Sequence, residues 1–182
     1  MQVMQQIVKD NDNVMVSQPA ILVDMDGTLC IREGYSDRDP YDWSKAGEDG
    51  ACPVVSDIVL RFSADHTIII LTARPKSAEL ICRSWLKSNR IPFDHIFTRK
   101  DNDFREDSIV KKEIYDNYIK DFWNVNFVMD DRDRVVEMWR SIGLKTLQVS
   151  IAHTRNPKCQ KFVLTLPYCQ LMKRLKKLSK SF

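Results

Sequence analysis

A short apolar run that ends in two carboxylates constrains the fold of this chain more than any other feature. Residues 20–26 read Ala-Ile-Leu-Val-Asp-Met-Asp, and Gly27 follows. The run predicts a buried strand at about 20–25 with acids at its carboxyl end, which is the edge where open α/β sheets bind ligands. Side chains alternate along a strand, so Asp24 and Asp26 share a face if the strand continues. Gly27 indicates that the chain turns instead, which leaves both carboxylates near one site.

The Asp24-x-Asp26 pair has two interpretations. Two carboxylates this close repel each other unless a cation or a shared proton offsets their charge. The pair is therefore either an acidic turn between a strand and a loop, or one part of a site that holds a cation. The remaining motifs of the chain have to decide between them.

Strand and helix patterns alternate along the chain. The run 67–72 is rich in β-branched residues, which is typical of a strand buried on both faces of a parallel sheet, and 126–129 is a second apolar strand. Shorter strands are predicted at 93–97 and 144–149. Apolar residues at helical spacing predict four helices, over 53–63, 77–89, 108–122 (with Asp107 or Ser108 as N-cap) and 134–142. The alternation predicts an α/β fold with a doubly wound, mostly parallel, Rossmann-like sheet.

The length of the chain, 182 residues, suits one well-packed domain with little left over. We divide the sequence into an N-terminal segment without an assigned role (1–18), a globular domain (19–152) and a C-terminal extension (153–182). Residues 30–53 are rich in Gly, Asp and Pro. They predict a long loop or a small cap-like insertion outside the core, and a loop of this length is usually functional.

Composition excludes several classes of protein. With 43% hydrophobic and 29% charged residues the chain is an ordinary globular protein, and a net charge of +3 is too small to indicate a nucleic-acid partner by itself. The five cysteines are scattered and form no C-x-x-C pair, which predicts free thiols in a reducing cytosol. A signal peptide and an apolar stretch of about 20 residues are both missing, so we expect a cytoplasmic protein without membrane contact.

The end of the sequence is basic. Residues 171–182 contain five of the positive charges. This tail could contact the phosphate backbone of a nucleic acid. The spacing of Leu171, Leu175 and Leu178 favours a second interpretation, an amphipathic terminal helix with a solvated basic face.

Polar side chains follow three of the predicted strands. The carboxyl ends of neighbouring parallel strands line one crevice, so these side chains can converge. Four carboxylates in one crevice indicate a hard divalent cation, and Mg²⁺ fits best because it takes oxygen ligands and keeps waters for a substrate phosphate. A lysine from 105–112 and an arginine would help to bind that phosphate. The converging residues are Asp24, Asp26, Thr72, Arg74, Asp130 and Asp131.

In their order along the chain, these motifs resemble the four motifs of the haloacid dehalogenase superfamily of phosphohydrolases. The motifs are Asp24-x-Asp26-Gly-Thr, then Thr72, a downstream lysine, and the pair Asp130-Asp131. Receiver domains of response regulators use similar residues, but there the paired acids come first. Here the pair comes last, which makes a receiver domain the weaker interpretation.

The similarity is closer to the 3′-phosphatase domain of phage-type polynucleotide kinase-phosphatase. Residues 37–43, 103–114 and 130–143 carry it, and it covers about 20–150. Thr-Ala-Arg at 72–74 stands where that family tends to have Ser-Gly-Arg. The sequence has no G-x-x-x-x-G-K-[ST] phosphate loop, so 5′-kinase activity is not expected. If the protein is encoded by a phage, the resemblance places it in the host cytoplasm.

The resemblance implies a role for each acid. Asp24 would be the nucleophile and form an aspartyl-phosphate. Asp26 would protonate the leaving oxygen and later deprotonate water, so its pKa should be raised by the neighbouring carboxylate. Mg²⁺ would be held by Asp24, the main-chain carbonyl of Asp26 and Asp130, with Asp131 a ligand through water or an orienting group. The alternative for Asp130 and Asp131 is a helix N-cap.

The resemblance also implies how the phosphate is held. Thr72 and Lys111 would bind the phosphoryl oxygens, with Lys112 as the rival because the two lysines point about 100° apart on a helix. Arg38 and Arg74 would grip the substrate phosphate, and Asp103 would orient those arginines. The alternative is that Arg38, Arg74 and Asp103 are ordinary solvent-exposed residues on the surface. Two aromatic side chains in the insertion could stack a nucleobase or pack against the domain: Tyr41 and Trp43.

Three functions follow from these residues. The first is a Mg²⁺-dependent phosphatase that removes 3′-phosphate from polynucleotide ends or 3′-phosphorylated nucleotides. The second is a nucleotidase for free 5′-mononucleotides, which uses the same chemistry. The third is an inactive module that binds nucleic-acid ends, and the intact set of acids disfavours it. The sequence leaves the choice between DNA and RNA and the oligomeric state open.

Overall fold

The computed structural model describes residues 18–32, 36–39 and 41–149. Nearly all of the N-terminal segment and the C-terminal extension with its basic tail therefore lie outside the described residues. Within these ranges no helix is long and apolar enough to cross a membrane.

The described residues form a parallel sheet flanked by helices. In chain order the elements are β1 (Gln18–Val23), β2 (Cys30–Ile31), β3 (Gly50–Ala51), α1 (Pro53–Phe62), β4 (Thr67–Pro75), α2 (Glu79–Ser88), β5 (His95–Arg99), α3 (Asp107–Tyr118), β6 (Trp123–Asp130), α4 (Asp133–Ser141) and β7 (Thr146–Gln148). The order of strands in the main sheet is β5-β4-β1-β6-β7, and all four pairings are parallel. The predicted α/β, doubly wound fold is confirmed.

Side chains of the central strands alternate between the two faces of the sheet, so a hydrophobic core forms on each face. On one face Ile21 and Val23 of β1 belong to a cluster that includes Val59 of α1 and Trp85 of α2. The alternate residues of β1, Ala20 and Leu22, belong to a second cluster with side chains of α3 and α4, among them Val110 and Trp139. A strand covered on both faces reads as a continuous apolar run, as 20–23 does.

The register of the central strands brings the polar residues to one edge. Val23 lies beside Ile70 of β4 and Met129 of β6. The backbone N–H of Asp24 donates to the carbonyl of Met129 over 3.0 Å. The residues that follow each of these three positions therefore lie at the same carboxyl edge, as the sequence predicted.

The insertion at 30–53 contributes more to the interior than the sequence suggested. It contains the antiparallel β2–β3 pair and a 3₁₀ helix, Trp43–Glu48. Asp49, which follows that helix, is buried, and its carbonyl accepts a 2.7 Å hydrogen bond from Nε1 of Trp85 on α2. The expectation that this segment lies outside the core is thus wrong for its inner residues.

Candidate active site

Three carboxylates at the ends of β1 and β6 meet at the carboxyl edge of the sheet. One oxygen from each of Asp24, Asp130 and Asp131 lies within 4.8 Å of the others. Asp24 and Asp130 are buried, and the buried Oδ1 of Asp131 has no hydrogen-bond partner among the described residues. Helix α4 begins at Asp133 without a side-chain N-cap, so capping does not account for the acid pair.

Helix α3 places one lysine among these acids. Nζ of Lys111 lies 2.7 Å from Oδ1 of Asp24 and 2.7 Å from Oδ2 of Asp130, and the side chain is buried. Lys112 instead pairs with Asp116 one turn along the same helix. Of the two lysines left open by the sequence, the geometry brings Lys111 into the site.

The charges in this cluster do not balance. Burial raises the pKa of Asp24, and Asp130 and Asp131 raise it further, against the opposing effect of Lys111. Burial alone would lower the pKa of Lys111, but Asp24 and Asp130 hold it above its usual range. One ammonium group faces three carboxylates, and Oδ1 of Asp131, which has no hydrogen-bond partner in the described part of the chain, could serve as a further metal ligand. Such a set of hard oxygen ligands fits Mg²⁺.

Asp26 is held by a buried arginine. Nε and Nη2 of Arg74 donate to the two carboxylate oxygens of Asp26 over 2.8 and 2.7 Å. Burial raises the pKa of Asp26, but the hydrogen bonds and charge of Arg74 outweigh it, so that the pKa lies below its usual value. The expected raised pKa of Asp26 is therefore wrong for this arrangement, because the paired arginine outweighs the effect of burial.

Asp49 joins the two arginines that the sequence assigned to the phosphate. Nε and Nη2 of Arg38 donate to Asp49 over 2.9 and 2.7 Å, and Nη2 of Arg74 donates to it over 3.2 Å. Nη2 of Arg38 also lies 3.6 Å from Oδ1 of Asp26. Sequence reasoning missed Asp49 because it is one of six acids in the insertion, and no spacing separates it from the others.

The two aromatic side chains of the insertion have different surroundings. The ring centroid of Trp43 lies 5.4 and 5.2 Å from the guanidinium carbons of Arg38 and Arg74. Trp43 thus packs over the arginine pair, where cation–π attraction is expected. Tyr41 is 80% exposed and meets Trp43 edge-on.

Asp103 does not contact the arginines that it was expected to orient. Its carboxylate accepts from the backbone N–H, Nε and Nη2 of Arg105, at 3.1, 3.0 and 2.7 Å. These bonds to Arg105 lower the pKa of Asp103 to about 2. The expected role of Asp103 is wrong because Asp103 pairs with Arg105, two residues away on the same loop. Asp49 lies against the arginine pair instead.

Asp107 is a second acid at the cavity whose contacts the sequence did not indicate. Asp107, the first residue of α3, forms ion pairs with Arg99 at the end of β5 and with Arg132 directly after Asp131. The N-cap of α3 is Glu106, not Asp107 or Ser108. The sequence pattern favours Asp107 as an N-cap, and it contains no signal for these ion pairs.

Thr72 lies on β4 and is fully buried. Its Oγ1 accepts a 3.2 Å hydrogen bond from the backbone N–H of Arg74. The hydroxyl therefore helps to fix the backbone that carries the arginine.

A cavity of about 780 Å³ opens above these groups. Asp24, Asp26, Lys111 and Asp131 line it, together with Gly27. Its other walls include side chains of the insertion, of the end of β5 and the loop after it, of the start of α3 and of the residue before α4: Arg38, Tyr41, Trp43, Asp49, Arg99, Lys100, Asp103, Phe104, Arg105, Asp107 and Arg132. The volume lies within the range of small-molecule pockets.

An open parallel sheet with an Asp-x-Asp pair, an acid cluster and a buried lysine at its carboxyl edge defines a phosphohydrolase of the haloacid dehalogenase type. The family described as the polynucleotide kinase PNKP phosphatase domain matches residues 18–153. The chain belongs to this family, and the resemblance that the motifs indicated is confirmed.

Individual relatives agree with this assignment. Over 130 residues the chain is 30% identical to the "Putative bifunctional polynucleotide kinase/RNA ligase" of Autographa californica nuclear polyhedrosis virus, covering 70% of this chain and 19% of that protein. Two solved chains of Pnkp1/Rnl/Hen1 complexes, the first described as an RNA repair complex, have TM-scores of 0.70 at 32% and 30% identity. They cover 76% and 78% of this chain.

These relatives are longer proteins. The chain spans about a fifth of the viral protein and less than half of each solved chain, 44% and 49%. A haloacid dehalogenase-like hydrolase from Streptococcus pneumoniae shares the fold alone, at 15% identity and a TM-score of 0.51.

Proposed function

We propose that this protein is a Mg²⁺-dependent phosphatase that removes the 3′-phosphate from polynucleotide ends through an aspartyl-phosphate on Asp24. The observation that carries the proposal is the position of the Asp24 carboxylate. It lies at the edge of the cavity beside Asp130, Asp131 and the ammonium group of Lys111, in a chain that belongs to a family of polynucleotide phosphatase domains.

The residues fit a bound Mg²⁺, which would be held by Asp24, Asp130, Asp131 and the main-chain carbonyl of Asp26. When bound, Mg²⁺ supplies positive charge that offsets the carboxylates and the phosphate oxygens. This charge favours the ionised form of Asp24, which burial otherwise disfavours.

In the first step a carboxylate oxygen of Asp24 attacks phosphorus while the bond between phosphorus and the 3′-oxygen breaks. Asp26, which takes up a proton once Arg74 has left it for the substrate phosphate, donates that proton to the 3′-oxygen, which leaves as a 3′-hydroxyl. In the second step Asp26 takes a proton from water as the water attacks phosphorus. The bond to Asp24 then breaks, inorganic phosphate is released, and the Asp24 carboxylate is restored. Lys111 stabilises charge on the phosphoryl oxygens.

The arginine pair links substrate binding to Asp26. A phosphate group accepts two parallel hydrogen bonds from a guanidinium, as a carboxylate does. The substrate phosphate would therefore compete with Asp26 and Asp49 for Arg38 and Arg74. Transfer of Arg74 from Asp26 to the phosphate leaves the Asp26 carboxyl available for the leaving oxygen.

The names of the relatives support a nucleic-acid end as the substrate. The viral relative is called a kinase and RNA ligase, and one solved neighbour belongs to an RNA repair complex. We propose that this chain acts on RNA 3′ ends and that a ligase uses the resulting 3′-hydroxyl. A nucleotidase for free 5′-mononucleotides is the alternative, and a cytoplasmic location remains a prediction.

The test compares phosphate release from a 3′-phosphorylated oligoribonucleotide, the matching oligodeoxyribonucleotide, and 3′- and 5′-mononucleotides, with Mg²⁺ and with EDTA. We expect the highest kcat/KM on the oligoribonucleotide and no release in EDTA. Preference for 5′-mononucleotides would replace the proposal with the nucleotidase. Asp24→Asn should abolish release, and Asp57→Asn, at an exposed position of α1, is the matched control. Unchanged release by Asp24→Asn would contradict the mechanism.

A further inference from the structure

We propose that Phe104 and Tyr41 form a stacking surface for the nucleobase of the nucleotide that carries the 3′-phosphate. This inference rests on the proposed function and specifies how the terminal nucleotide is recognised. It commits to an unpaired terminal base, because a stacked aromatic side chain needs an open face of the base.

Phe104 and Tyr41 combine two properties: both side chains are highly exposed, and both line the cavity. Phe104 is 90% exposed and Tyr41 is 80% exposed. Several other large hydrophobic side chains are exposed in the described part of the chain, but among these only Phe104 and Tyr41 line the cavity that contains Asp24. Side chains of this size and exposure add little to the core, and their position at the cavity makes them available to a ligand bound there.

The loop around Phe104 is held in place on both sides. Nη1 of Arg99 donates to the carbonyls of Asp103 and Arg105 over 2.8 and 3.1 Å. The Asp103 carboxylate in turn binds the backbone and guanidinium of Arg105. Arg99 is itself paired with Asp107 at the start of α3. These contacts fix the backbone next to Phe104, which reduces the entropy lost when a base stacks on it.

Cationic groups line the same part of the cavity. Four such groups, from β5, the loop after it and the start of α4, border it: Arg99, Lys100, Arg105 and Arg132. Basic side chains that track the backbone, combined with aromatic side chains for the bases, are typical of surfaces that bind single strands. Trp43 is excluded from this surface because it packs over the arginine pair.

The experiment uses two 3′-phosphorylated oligoribonucleotides that differ only in the last nucleoside, which carries a base in one and is abasic in the other. Stacking of one base contributes enough that its loss should raise KM about 5- to 150-fold. We expect Phe104→Ala to raise KM by this amount on the ordinary end with little change in kcat. On the abasic end, Phe104→Ala and the wild type should behave alike.

Three further variants separate stacking from other effects. Phe104→Trp should keep the KM of the wild type, since it retains a stacking face, and Tyr41→Ala should raise KM as Phe104→Ala does. Phe122→Ala removes an aromatic side chain that is 59% exposed away from the cavity, and it should change nothing. A wild-type KM for Phe104→Ala, or an equal increase on both ends, would overturn the inference. Absence of activity on every 3′-phosphorylated end would instead overturn the proposed function.

Discussion

Gly27 shows how closely the backbone is fitted to the acid cluster. Its φ is +86°, a region that side chains disfavour, and a Cβ at this position would lie 2.1 Å from Oδ2 of Asp131. The glycine that first indicated a turn after the Asp-x-Asp pair therefore also leaves space for a carboxylate from another strand.

Gly27→Ala should consequently damage both the backbone and the metal site. Strain at positive φ costs about 1–2 kcal/mol, and Asp131 must move as well. We expect lower stability and a higher Mg²⁺ concentration for half-maximal phosphatase activity. Gly143→Ala is the control, because Gly143 has φ +87° but open space around its Cβ. It should lower the melting temperature without altering the Mg²⁺ requirement. A similar Mg²⁺ requirement in both variants would show that the clash with Asp131 has no effect.

Asp49 is a second residue with a specific expected effect. It is buried against two guanidinium groups, and removing one partner of a buried ion pair costs about 3–5 kcal/mol. Asp49→Asn should therefore lower the free energy of unfolding in urea and reduce kcat/KM by at least about tenfold, since Arg38 and Arg74 lose their common partner. Glu48→Gln alters an exposed acid next to it and should resemble the wild type. A stable, fully active Asp49→Asn would mean that the arginines need no fixed partner.

The rotation of helix α3 about its axis determines which of two adjacent lysines faces the active site. Consecutive residues on a helix point about 100° apart, so adjacent lysines have different environments. Lys111 is buried between two carboxylates, whereas Lys112 forms a half-buried pair with Asp116.

Two matched substitutions test this register. Lys111→Ala leaves three carboxylates without their ammonium partner and should lower phosphatase kcat by about 10²-fold or more. Lys112→Ala removes an i,i+4 pair worth about 0.3–0.5 kcal/mol and should keep nearly full activity. Comparable losses in the two variants, measured at saturating substrate, would contradict the placement of Lys111.

The helices and strands can be predicted from the sequence better than the contacts that loop residues make. The runs 20–23 and 67–72 are buried on both faces, so their composition alone predicts strands, and the acids after them follow from the geometry of a parallel sheet. The insertion has no periodicity, and the burial of Asp49 depends on contacts with α2 and two arginines that lie far away in sequence. The partner of Asp103 could not be predicted either, because a nearby arginine competes with distant ones.

The whole molecule carries a concentration of negative charge at one edge of its sheet. Asp24, Asp130 and Asp131 lie close together with one ammonium group between two of them. Burial, and then the repulsion among these carboxylates, raises the pKa values of Asp24 and Asp131, so both effects oppose folding of the ionised cluster when no cation is bound. The stability of the whole domain should therefore depend on Mg²⁺, independently of any substrate.

Thermal unfolding measures this dependence directly. A ligand that binds only the folded state at 100 times its Kd stabilises it by about 2.7 kcal/mol, so Mg²⁺ should raise Tm by several degrees over NaCl of equal ionic strength. Asp131→Asn removes one of the repelling charges and one ligand. It should raise Tm in EDTA above that of the wild type, yet reduce the further increase that Mg²⁺ produces. A Tm that Mg²⁺ leaves unchanged in the wild type would contradict the assignment of these carboxylates as metal ligands. A Tm lowered by Asp131→Asn in EDTA would contradict the net repulsion assigned to the Asp131 carboxylate.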